Sequence, residues 1–298
     1  MGVITGVGGM YITDNYGIRL SILCGTSLNF VGSLIRVISS IPLVDGSIVA
    51  ASAQAFFLVL PSKIAEIWFP DHQRSLANVL TFIGNFTKRK QSTDDLYVIE
   101  NASMALITTL TFILSLFIRH GSPPTPPSAS SEYHSKNAPS FWKSIVACLR
   151  NKQFLIQLFT FGLAFAELYG FMVIMSDIII DRGYALHGYP TALAAFVGVM
   201  VSLICGLIAD YTKKFKELIR ASSAGLGAFS TPQFPIGIEM GVETTFPVYE
   251  ATSSGLLILT GQLLMFIMYF VFEMTKNLKL FYKFEETSPS GNWQCWFV

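Results

Sequence analysis

Long apolar runs separated by short polar turns dominate this chain. A bilayer-crossing helix needs roughly 20 mainly apolar residues, and the stretches at about 18–38, 45–69, 97–118, 153–180, 190–209 and 249–274 meet that requirement. Weaker apolar pieces lie at 1–13, 75–86 and 219–246. Pro232 and Pro235, in the string GAFSTPQFP, break any helix through the last of these, because proline lacks the amide hydrogen that a helix interior uses. The pattern there predicts two half-helices rather than one clean crossing. Between the 97–118 and 153–180 runs, SPPTPPSASSEYHSKNAPS (122–140) is rich in Pro and Ser. It predicts a flexible linker between two halves.

The runs repeat. EIWFPDHQRSLANVLTFIGN (66–85) and ETTFPVYEATSSGLLILTGQ (243–262) match at Glu66/Glu243, Phe69/Phe246, Pro70/Pro247, Leu80/Leu257 and Gly84/Gly261, with Ser75 opposite Thr252. Upstream of each lies a short acidic-then-basic turn closing a glycine-containing apolar run. The first holds Asp14, Gly17 and Arg19, and the second Asp210, Lys213 and Lys214. Paired markers of this kind are the signature of a carrier built from two related halves. The halves are unequal, since the second is 19 residues shorter between its markers. That deficit is about one membrane crossing.

Composition agrees with a membrane chain. Apolar residues make up 52% of the 298 and charged residues 13%, against about 25% charged in a soluble domain. A net charge of +1, with no basic-aromatic surface run, gives no footing for nucleic acid. Four scattered cysteines and four scattered histidines suggest neither a disulfide framework nor a metal site. No P-loop, GxSxG, HExxH or CxxC occurs, so no cofactor and no enzymatic reaction is expected. The basic residues Arg19, Arg74, Arg119–Lys152 and Lys213–Arg220 fall on one side if the strong spans alternate. That side is expected to be cytosolic.

A carboxylate near helix termini, with cations beside it, can latch a closed gate through charge and dipole interactions. Asp14 and Asp210 are therefore candidate gating residues, with Gly17, Arg19, Lys213 and Lys214 completing the two turns; the turn's occurrence twice at matched positions favours this over a plain positive-inside turn. Glu167, in FAELYGF near the middle of its span, is a candidate for binding a cationic solute or a proton, or a structural glutamate bonded to a neighbouring helix. Lys63 and Glu66 are three residues apart near a span end and fit snorkelling and mutual pairing. GxxxG spacings at 2/6 and 237/241 predict close helix packing.

GTSLNFVGSLIR (25–36), PSKIAEIWFPDHQRSLAN (61–78) and GIEMGVETTFPVYEATSSGLLILTGQ (237–262) resemble the solute carrier family 49 branch of the major facilitator superfamily, the feline leukaemia virus subgroup C receptor-related group. The resemblance implies an all-α polytopic membrane fold of that superfamily, present here as about eight or nine of twelve helices. Its expected parts are an N-terminal half-bundle (1–118), a cytosolic linker (119–150) and a C-terminal half-bundle (151–298). The first helix would be lacking, the fifth cut short, the ninth and tenth fused and the twelfth lost. The resemblance also implies alternating-access transport of a small solute, with choline, ethanolamine and haem as candidates, in the plasma or endolysosomal membrane. It places Tyr169 and Gln262 at the central site, where an aromatic face attracts a quaternary ammonium and an amide fixes a hydroxyl. Asn85 is the repeat counterpart of Gln262. The alternative is a non-transporting truncated or regulatory membrane isoform, whose exposed faces would need partner helices as well as lipid.

Overall fold

The computed structural model describes residues 2–38, 46–83, 94–128, 132–133, 139–181, 188–224 and 231–277. Among these the regular structure is entirely helical. The helices are α1 (Gly2–Ile38), α2 (Gly46–Trp68), α3 (Arg74–Ile83), α4 (Asp94–Leu116), α5 (Phe141–Arg150), α6 (Lys152–Asp181), α7 (Gly188–Thr212), α8 (Phe215–Ala224), α9 (Gln233–Thr245) and α10 (Glu250–Asn277). At 1.5 Å rise per residue, the 23-residue α2 is about 35 Å long, enough for the roughly 30 Å hydrocarbon core. Among the described residues, Thr5–Val37 and Glu250–Phe272 are long and apolar enough to cross a bilayer, with mean hydropathy 1.5 and 2.1.

The first of those stretches is not one straight helix. Gly17 has φ 83° and ψ 176°, a region only glycine enters without strain. The Thr13 and Ser21 hydroxyls are 2.7 Å apart, whereas eight residues of straight helix would separate them by about 12 Å. α1 therefore folds back at Gly17 into two arms. The second arm lies along α2, and at Gly32 the two helices are so close that a Cβ would come within 2.6 Å of the Ala50 backbone nitrogen.

α8 and α9, of 10 and 13 residues, are separate helices, and neither is long enough to cross. α5 occupies the end of the stretch expected as linker. In the C-terminal part, Phe154, Phe161 and Phe165 of α6 pack with Phe234 and Ile238 of α9 and Leu257 of α10. In the N-terminal part, Ile18 of α1 packs with Phe56 and Leu60 of α2. The two parts meet where α1 and α2 touch α10, and where α3 touches α7 and α9. The expected close packing at the GxxxG glycines is present: a Cβ at Gly6 would meet Leu259, and one at Gly241 would meet Leu257, each at 2.4 Å.

Candidate gate and crevice

The first turn reaches across the molecule. Asp14 ends the first arm of α1, and its Oδ2 accepts a 2.5 Å hydrogen bond from the hydroxyl of Thr252. Thr252 is the third residue of α10, so the carboxylate sits at a helix N-terminus, where the backbone dipole favours negative charge. The other oxygen, Oδ1, has no hydrogen bond; its nearest cation is Lys63 of α2 at 4.0 Å. Lys63 itself bonds Glu66 at 2.6 Å and lies over the Tyr249 ring at 4.9 Å.

The second turn makes the reverse connection. Asp210, at the end of α7, accepts hydrogen bonds from the backbone N–H groups of Ser75 at 3.0 Å and Leu76 at 2.9 Å. Those are the second and third residues of α3, so Asp210 caps that helix from the opposite half. Lys213 stands 3.9 Å from Asp210 and donates to the Asp71 carbonyl at 2.6 Å. Ser75 and Thr252 are the aligned positions of the sequence repeat. Each carboxylate thus docks on the repeat element of the other half, and the two contacts are reciprocal.

A buried polar layer joins them. Arg74 of α3 pairs with Glu250 of α10 at 3.4 Å and with Asp71 at 3.1 Å. Ser62 of α2 donates to Ser254 of α10 at 2.7 Å, and Asn78 of α3 donates to Glu239 of α9 at 2.8 Å. Lys63, Glu66, Glu239 and Glu250 are all buried. Buried charges persist where they are paired and hydrogen-bonded, and here most of the pairs span the two halves. Outside the spans, burial among these helices pushes the Cys148 thiol above its ordinary range, against the hydrogen bond it shares with Ser253.

The remaining candidates lie apart from this layer. Gly17 makes the fold-back, and Arg19 is exposed. Lys214 forms a surface pair with Glu217 at 3.9 Å. Gln262, with Gly6, Leu58, Val59, Gly255 and Ile258, lines a small crevice between α1, α2 and α10. Tyr169 packs tilted against Phe165, ring centres 4.5 Å apart, and meets Phe234 edge-on at 6.1 Å, away from that crevice. Glu167 is exposed. Asn85 lies outside the described residues. Thr252, Arg74 and Glu250 were not singled out from sequence for the gate, although the Ser75/Thr252 match pointed at the first of them. Lys63 and Glu66 do pair, and Lys63, rather than the exposed Arg19, is the cation beside Asp14. Among the described residues no group of His, Cys, Asp and Glu could hold a metal ion.

The chain resembles known proteins in sequence and in fold. No protein-family model matches the chain. Solute carrier family 49 member A3 of Xenopus tropicalis is 28% identical over 337 aligned positions, covering 96% of this chain and 68% of the relative. The choline/ethanolamine transporter flvcr2a of Danio rerio is 28% identical, covering 85% of this chain and 65% of the relative. Among solved structures, the proton:xylose symporter XylE overlays 94% of this chain and 78% of its own, with TM-score 0.58 at 12% identity. The Escherichia coli fucose:proton symporter FucP overlays 92% and 81%, with TM-score 0.51.

The resemblance to solute carrier family 49 stands, on a major facilitator superfamily fold. The chain spans about two thirds of the length of the curated relatives it matches. Several of the relatives it matches are named as transporters, and the described residues form an all-helical, partial version of the superfamily's fold. The 337 aligned positions in the first comparison take in 96% of a 298-residue chain. Roughly fifty residues of that relative therefore face gaps in this chain.

Proposed function

We propose that this chain is an alternating-access carrier for a small solute, with the Asp14–Thr252 and Asp210–α3 contacts holding its cytosolic side closed. The observation that carries this reading is the reciprocity of the two contacts. A fixed structural bolt needs no symmetry, whereas a gate between two rocking halves needs matched contacts that part together. Choline and ethanolamine are the proposed solute class, because relatives bear those names; haem is a weaker candidate that rests on the family resemblance. Gln262 is proposed to present its amide to the solute from the crevice, Tyr169 to offer an aromatic face when the halves rearrange, and Glu167 to act as a charged partner. Asn85 is proposed as a second solute-binding amide, as the repeat counterpart of Gln262. The plasma membrane or an endolysosomal membrane would host it.

Reconstitution tests the reading. Purified chain in liposomes should give saturable, protein-dependent uptake of labelled choline or ethanolamine, reduced roughly tenfold in Gln262→Ala. That factor corresponds to the loss of about 1–2 kcal/mol of amide contact in a desolvated site. Folded protein with no flux of any of the three solutes would reject it.

A second reading has an observation of its own. The alignment gaps fall inside the matched region, and a carrier whose walls are interrupted would not seal. On that reading the chain is a non-transporting isoform that covers its open faces with helices of an intact relative. Absent flux together with co-purification of such a relative would favour it.

A further inference from the structure

We propose that the outer face of α5 is a binding surface for anionic phospholipid, laid along the membrane where α6 enters it. The inference rests on the membrane reading of the chain but not on transport. A single residue, Asn151, separates α5 from the 30-residue α6, so α5 cannot lie far from the bilayer surface. One face of α5 is fixed to the protein. Phe141 packs with Met10 of α1, Val59 of α2 and Ala251 of α10, with Ile145 against the same cluster, and Cys148 contacts Ser253.

The face next to it is apolar but unpacked. Trp142 is 66% exposed, Val146 48% and Leu149 45%. At about 100° per residue these three fall in one arc roughly 60° wide. Lys143 and Arg150, both exposed, fall together in the next arc. The sequence of arcs is therefore protein-facing, apolar with a tryptophan, then basic. A helix of that design lies in the interface plane, its apolar stripe among the upper acyl carbons and its cations among headgroup phosphates. The neighbouring Lys152 is also exposed, so the end of α5 adds a third positive charge beside the other two. Two or three adjacent basic groups attract anionic headgroups well above zwitterionic ones.

The chain has four tryptophans, and the difference between parent and Trp142→Phe protein isolates the signal of Trp142. Full chain would be reconstituted in phosphatidylcholine vesicles doped with nitroxide lipid labelled at acyl carbon 5. The labelled lipid is either phosphatidylserine or phosphatidylcholine. The Trp142 signal should be quenched by both, and at least about twofold more by the serine lipid, in line with the attraction of each basic side chain to an anionic surface. Lys143→Gln with Arg150→Gln should remove that preference while leaving quenching by the choline lipid intact, which also shows that the helix remains in place. Absence of quenching by either lipid overturns the proposal and means that a second copy or another protein covers the face. Equal quenching by the two lipids overturns the anionic preference. A preference that survives the double glutamine change overturns the assignment to these two residues. None of these outcomes depends on solute flux, so failure here and failure of the transport reading are distinguishable.

Discussion

The turn at residues 14–19 and the turn at residues 210–214 stand at matched positions, yet they close on the opposite half by different chemistry. Asp210 takes two backbone amides, donors that no substitution in α3 short of proline can remove, and carries its own cation in Lys213. Asp14 takes one side-chain hydroxyl, leaves an oxygen without a hydrogen bond, and borrows its cation from α2. The backbone differs as well. Three residues after each aspartate the chain has positive φ, but the first turn uses Gly17 at 83° and the second Lys213 at 53°. The second contact is thus strong and locally complete, while the first is weaker and wired into the Lys63–Glu66 pair. The two contacts share their place in the repeat and differ in their donors and charges.

Substitutions that unbalance the two contacts test this contrast. The largest effect is expected for Lys63→Met, which leaves Glu66 and Asp14 buried without their shared cation; losing one partner of a buried pair costs about 3–5 kcal/mol. Thermal unfolding in detergent should show it, and a shift no larger than that of an exposed Lys214→Met control would mean that Lys63 is not the common cation. Asp210→Ala should cost about 2–3 kcal/mol, because two charge-assisted bonds to amides disappear together. Hydrogen exchange at the Ser75 and Leu76 amides should rise with it, and unchanged protection there would remove Asp210 from the cap. Gly17→Ala should cost about 2 kcal/mol, since it forces a side chain into a glycine-only region. Lys213→Gly should lie within about 1 kcal/mol of parent, as relief of left-handed strain offsets the lost ion pair. Equal losses for these two variants would show that the turns are not strained as their φ angles indicate. The smallest aspartate effect, about 1 kcal/mol, is expected for Asp14→Ala, because Lys63 keeps Glu66 and the loss is the Thr252 bond and the long 4.0 Å contact with Lys63. A loss as great as that of Asp210→Ala would erase the asymmetry.

Much of this organisation was legible in the residues. The spans at 45–69, 97–118 and 249–274 correspond to α2, α4 and α10, because period-independent apolar length is a strong signal in membrane chains. The repeat identified Ser75 and Thr252 as equivalent, and that equivalence turned out to be a pair of docking points. The partners themselves were not legible. Nothing in one sequence says that Asp14 meets Thr252 rather than Arg19, since the choice depends on how the two halves are packed. Lys63 and Glu66 are three residues apart, so local pairing explained them and the third member, Asp14, stayed hidden. α5 was missed for a different reason: ten residues are too short to register as a span, and the Pro/Ser composition upstream set the expectation for the whole stretch. Tyr169 is placed among phenylalanines because α9 brings Phe234 against α6, a contact that no spacing along the chain announces.

The hydrogen bond between Asp14 and Thr252 joins residues 238 positions apart. A ribosome working at about 5–20 residues per second needs on the order of 10–50 s to pass from one to the other. Throughout that interval the Asp14 carboxylate has no Thr252 to meet, and the first two helices must wait in the membrane with that end of their interface unfilled. Asp210 differs, since its acceptors close on amides of α3 that are already synthesised when it emerges. The stronger contact can therefore form first and draw the later half onto the earlier one, with the weaker contact completing the assembly only after α10 has been made. The order of synthesis and the order of strength coincide, which makes the Asp210 cap the step at which a nascent chain commits to joining its halves.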